Sequence, residues 1–165
     1  MRALLVVLTA AALLATASCR TTSQHAAQAR TPDETCLAWS DAYLETVLAV
    51  AADWRRDEPM AAAYLIGDDT WPATERRRAA INEAGNRACL SAMADRFGGG
   101  AVVDGACESQ ARQAALAGAE PVLRAQARRA RLTGGAGASE PLVAASAVTT
   151  LYAEGYDACI AGDAG

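Results

Sequence analysis

Apolar and polar positions follow two different rhythms along this chain. Residues 3–14 form an uncharged run rich in Leu, Val and Ala, preceded by Arg2. Further on, Cys36, Leu37, Ser40, Tyr43, Leu44, Val47, Leu48, Ala51 and Trp54 recur every three or four positions, which predicts a long amphipathic helix over residues 32–57. Thr31-Pro32-Asp33-Glu34 marks its start: an N-cap hydroxyl, a proline at the first helical position and a glutamate that closes a capping box.

The same period returns after each cluster of breakers. Pro59 opens a short apolar turn over residues 60–66, and Gly67-Asp68-Asp69 closes it before Thr70-Trp71-Pro72. A second long helix is predicted over residues 72–97, with Ile81, Gly85, Ala88, Cys89, Ala92 and Met93 inward and Gly98-Gly99-Gly100 as its end. A third, over residues 106–132, turns Leu116, Ala119, Leu123, Ala127 and Ala130 inward, with a kink or break expected at Pro121. Ser139-Glu140-Pro141 starts a fourth, whose buried face runs through Ala145, Val148, Tyr152, Tyr156 and Cys159 to about Ile160. The expected fold is all-α: an up-down-up-down four-helix bundle with a short extra helical turn after the first helix, and two disulfides.

The cysteines constrain that topology, because the start of helix one, the end of helix two, the start of helix three and the end of helix four would share one pole. At 1.5 Å per residue, Cys36 and Cys89 stand roughly 8 and 12 Å from that pole, and Cys107 and Cys159 within roughly 5 Å of it. Matching heights favours Cys36–Cys89 with Cys107–Cys159. The alternative, Cys36–Cys159 with Cys89–Cys107, joins helix neighbours but demands more local bending.

The first apolar run is too short to span a bilayer comfortably and ends in small residues, as a cleaved export signal does. Ala15-Thr16-Ala17-Ser18-Cys19 resembles the lipobox of bacterial lipoproteins, with Thr16 standing where Leu is commonest. The resemblance implies a lipoprotein signal over residues 1–18, acylation of Cys19 and anchoring through two or three chains, enough for stable attachment. Arg20, rather than Asp, follows the cysteine, which points to the outer membrane facing the periplasm. The alternative, an ordinary cleavage after Ala17, would release a soluble periplasmic protein. Of five cysteines, assigning Cys19 to lipid leaves an even set of four in an oxidising compartment. Residues 19–30 are polar and read as a tether reaching roughly 35 Å when extended; residues 31–165 form the domain.

Charge and chemistry narrow the function only by exclusion. Without Arg2 the mature chain has 14 Arg against 19 acidic residues, about 5 negative charges, which does not suit a nucleic-acid binder. There is no lysine, hence no P-loop or Schiff-base lysine; no Cys-x-x-Cys occurs, and the lone His25 lies in the tether, so no metal or cofactor is expected. Carboxylates are the remaining catalytic candidates, but Asp41 with Glu45, four apart on a helix, and Asp68 with Asp69, in a turn, sit at ordinary surface spacings.

Candidate partner-binding residues are Trp71 beside Asp68 and Asp69 in a connector, and Arg124, Arg128 and Arg131 as a basic stripe on the third helix. The expected role is a non-enzymatic protein-binding module anchored to the membrane by its N-terminal lipid, with a protein partner in the periplasm. In outline this looks like secretion-system pilot lipoproteins and periplasmic immunity or lysozyme-inhibitor proteins, without a diagnostic motif of either. A carboxylate-dependent cell-wall hydrolase and a purely structural envelope protein are the alternatives.

Overall fold

The computed structural model describes residues 30–67, 71–97, 102–133 and 140–163, and nearly all of them are helical. Six helices follow in order: α1 (Pro32–Asp57), α2 (Pro59–Ile66), α3 (Trp71–Phe97), α4 (Gly105–Ala117), α5 (Ala119–Thr133) and α6 (Glu140–Asp163). No described residue is in a strand. The signal, Cys19 and the tether up to residue 29 lie outside the described residues.

Local chemistry explains the helix ends. The Glu34 N–H donates to Thr31 Oγ1 (3.2 Å), while the Thr31 N–H donates to Glu34 Oε2 (2.9 Å), completing the capping box. Asp104 caps α4 by accepting from the Ala106 and Cys107 N–H groups at 3.0 and 2.8 Å. The eight residues of α2 end at Gly67, whose φ of 80° lies in the left-handed region that only glycine enters cheaply.

The third predicted helix is in fact two. The break falls at Gly118, whose N–H donates to Ala114 O at 3.0 Å, and not at Pro121. Pro121 is the third residue of α5, in the first turn, where a missing N–H leaves no helical hydrogen bond unmade. Of the inward positions expected there, Ala119, Leu123, Ala127 and Ala130 are buried, and Leu116 is half-buried.

Helix α1 packs on α3, α4 on α6, and α3 on α6, while α2 lies on the end of α1. Their shared core is built from Trp39, Tyr43, Val47, Met93, Leu123, Val148 and Tyr152, with small residues between them. Trp39 stacks on Tyr152 with ring centroids 4.5 Å apart and 9° between planes, and on Tyr43 at 6.3 Å and 13°. Leu37, expected on the inner stripe, is 53% exposed, because the neighbouring Cys36 takes the position facing α3.

Gly85 lets α1 and α3 come close. A Cβ there would stand 3.0 Å from Tyr43 Cδ1 and 3.3 Å from Ser40 Cα. Gly85→Val is therefore expected to destabilise the domain by about 1–3 kcal/mol through overpacking, despite the better helix propensity of valine. Urea unfolding of the variant beside the parent measures this; an unchanged midpoint would mean the helices separate at no cost.

Two disulfides tie the helices together. Cys36 of α1 is bonded to Cys89 of α3, and Cys107 of α4 to Cys159 of α6, each with a Cα–Cα distance of 5.5 Å. At the same end, Arg96 of α3 donates twice to the Asp157 carboxylate of α6 (2.7 and 2.5 Å), Phe97 meets Tyr156 edge-on, and the Asp104 N–H donates to the Tyr156 hydroxyl. The start of α1, the end of α3, the start of α4 and the end of α6 thus meet at one pole. The opposite pole lies about 39 Å away, the length of a 26-residue helix.

These contacts fix the response to acid. The Arg96 hydrogen bonds hold the Asp157 carboxyl below its ordinary value near 3.8, and the Thr31 backbone and hydroxyl hold Glu34 below its ordinary value near 4.5. With both folded values depressed, the unfolded chain binds more protons as pH falls, so their contribution is complete above the ordinary values and lost as pH drops through the folded ones. Stability is expected to be insensitive to these groups at neutral pH and to decline below about pH 4.5. Asp157→Asn should flatten the most acidic part of that decline in a denaturation series.

Candidate interaction surface

Where the sequence places a basic stripe, the structure builds a joint. The Arg124 guanidinium of α5 lies 4.6 Å from the centroid of the Trp54 ring of α1. It pairs with Glu58, at the junction of α1 and α2, and with Glu120 one turn back at 2.9 Å. The Trp54 indole N–H donates to the same Glu120 oxygen at 3.4 Å. One cation thus joins an aromatic face and two carboxylates from three segments, and Arg124 is largely used up inside the protein.

Arg128, one turn further along α5, is exposed. Arg131 also belongs to α5, but its side chain is outside the described structure. Asp68 and Asp69 lie outside the described residues. Trp71 is the first residue of α3, and its side chain is likewise outside the description.

Several functional-looking side chains prove to have structural work. Arg77, in the Arg76-Arg77-Arg78 cluster, donates to the Leu65 and Tyr64 carbonyls at 3.1 and 2.6 Å, neutralising the negative end of α2. Asp41 accepts from Asn82 Nδ2 at 2.9 Å, bridging α1 and α3. Glu108 is 3% exposed, with Arg112 Nε 3.0 Å away and the Tyr152 hydroxyl donating to it at 3.4 Å. Burial, reinforced by that carboxylate, pushes the Tyr152 phenol far above its usual range, so it stays protonated. Burial raises the Tyr43 phenol in the same way.

A shallow recess between α1, α2 and α3 is lined by Tyr43, Val47, Tyr64, Leu65, Arg77 and Ile81, with room for about one water at its centre. Among the described residues, no group of three or more His, Cys, Asp or Glu side chains is arranged to hold a metal, and no helix is long and apolar enough to cross a membrane.

No family model, curated protein or solved structure matches this chain.

Large exposed apolar side chains occur at both poles: Leu37, Leu90, Val102 and Ile160 toward the disulfides, and Met60, Leu132 and Val143 at the other end. Sequence periodicity alone misses Leu132 and Met60, because each falls near a helix end where the pattern is too short to assign a face.

Proposed function

We infer that this chain is an envelope lipoprotein: residues 1–18 as export signal, Cys19 as the acylated anchor, residues 19–30 as tether, and the helical domain as a non-enzymatic module that holds a protein partner in the periplasm. Outer-membrane attachment follows from Arg20 after the anchor. The observation that carries the reading is the pairing of the domain cysteines. All four are bonded to one another, which suits an oxidising compartment and leaves Cys19 as the cysteine with a separate use.

In this reading the domain is an up-down-up-down four-helix bundle whose third member is the broken pair α4 and α5. Two cross-links and a core of stacked aromatics favour a rigid scaffold over a moving one, and rigid scaffolds bind with little ordering cost. No cofactor or nucleic acid enters the proposal.

Metabolic labelling with a palmitate analogue tests the anchor: the parent is expected to be labelled and Cys19→Ala not. Equal labelling of both would return Ala17 as the cleavage site and a soluble protein as the product. For the binding role, detergent extracts of the envelope should yield the same partner with the parent and lose it when the domain is unfolded by reduction. Peptidoglycan hydrolysis by the purified protein, with no retained partner, would overturn the non-enzymatic reading.

A further inference from the structure

Helix α5 is strongly basic. Its 15 residues contain Arg124, Arg128, Arg129 and Arg131 against Glu120 alone, in a chain whose net charge is −4. Its neighbour α6 carries Glu140, Glu154, Asp157 and Asp163 and no basic residue. At the pole from which the tether leaves, Asp33, Glu34 and Asp104 lie near the helix ends, and Asp157 there is paired with Arg96.

The same face is also apolar in one place. Leu132 is four residues beyond Arg128, so the two side chains share a side of the helix. Leu132 is 88% exposed, more than any other large apolar residue described. Met60, 69% exposed, lies on α2, which packs against α5, and Val143, 49% exposed, stands in the first turn of α6. Arg124, locked by Trp54, Glu58 and Glu120, holds the root of α5 against the end of α1 and makes the ledge a fixed one. Among the described residues no ion pair engages Arg128, so its charge is presented outward.

We propose that the outward face of α5, centred on Arg128 and Leu132, docks an acidic segment of a protein partner that carries an apolar side chain for Leu132. This rests on the protein-binding reading above and specifies its partner. Charge decides the class: an acidic segment is attracted to α5 and repelled from the neighbouring α6. A bilayer surface is the rival occupant of a basic, apolar ledge. It is disfavoured because the face lies at the pole remote from the tether.

The test uses purified full-length mature protein and two synthetic helical peptides of Glu/Leu and Lys/Leu heptads, read by fluorescence anisotropy. The Glu/Leu peptide is expected to bind, to weaken as salt rises, and to lose about tenfold or more in affinity with Arg128→Glu and with Leu132→Ala. Arg87→Glu, on exposed α3, should leave binding within about twofold. Circular dichroism confirms that each surface variant is folded. Equal binding of the Lys/Leu peptide, or unchanged affinity in both α5 variants, overturns the acidic-partner assignment. Binding of anionic phospholipid vesicles through Arg128 and Leu132, without peptide binding, overturns it in favour of a membrane contact. Because Cys19 labelling is measured separately, failure here leaves the anchor reading standing, and failure of the anchor leaves this surface standing.

Discussion

Trp39→Ala is expected to lower the unfolding free energy by about 3–5 kcal/mol, the range for removing a fully buried large aromatic side chain. Trp39 is wholly buried and stacks on both Tyr43 of its own helix and Tyr152 of α6, so truncation removes contacts from both sides of the core at once. The helices cannot close the gap easily, since two disulfides and the Arg96–Asp157 pair hold their ends apart at fixed spacing. Trp39→Phe separates packing from polarity. The indole N–H finds no hydrogen-bond acceptor among the described residues, so losing it costs nothing in bonds, and phenylalanine should retain most of the stability. Guanidinium denaturation of the three proteins measures both differences. A cost of less than about 1 kcal/mol for alanine would mean that the stack is not part of a close-packed core.

Removing the Cys36–Cys89 cross-link by a double alanine substitution should cost about 4 kcal/mol on the chain-entropy estimate for its loop, whose ends are 53 residues apart. The second bridge closes a loop of similar size, with a separation of 52, and should weigh about the same. Access distinguishes the two. Cys36 and Cys89 are wholly buried, whereas Cys159 is only partly buried near the end of α6. A thiolate must reach a sulfur to exchange with it, so mild reductant should open Cys107–Cys159 first. Alkylation followed by mass spectrometry over a reductant series reads that order. Simultaneous opening would show that reduction proceeds through global unfolding.

How legible each part was depends on how local its cause is. Thr31, Glu34 and Pro32 act within one turn, and the start of α1 follows from them directly. Glycine clusters separated the long helices for the same reason, and the spacing of Cys36, Tyr43, Val47 and Trp54 marked a buried face because a helix repeats every 3.6 residues. The break between α4 and α5 was misplaced because a proline disrupts a helix only if its N–H would have had an acceptor. At Pro121 it would not, once Gly118 had ended the preceding turn.

The interaction surface was legible only in part. Arg124 and Arg128 lie one turn apart on the same helix; Glu120, one turn before Arg124, marks that arginine for an ion pair, but the sequence does not show what each meets from other helices. One finds Trp54 and Glu58, which lie 66 or more residues away along the chain, and the other does not. Arg77 likewise finds its partners, the Leu65 and Tyr64 carbonyls, only because α2 turns back toward α3.

By itself the sequence determined the helices, their caps, the buried stripes, the export-like leader and the even set of domain cysteines, since each depends on residues within a turn or two, or on a count. Tertiary structure selected the Cys36–Cys89 and Cys107–Cys159 pairing that helix heights favoured over its alternative, and it alone decided which arginine is consumed and which is presented, and that Leu37 and Leu132 face outward. Those outcomes depend on what approaches from distant parts of the chain, and a one-dimensional pattern does not encode the neighbour on the far side.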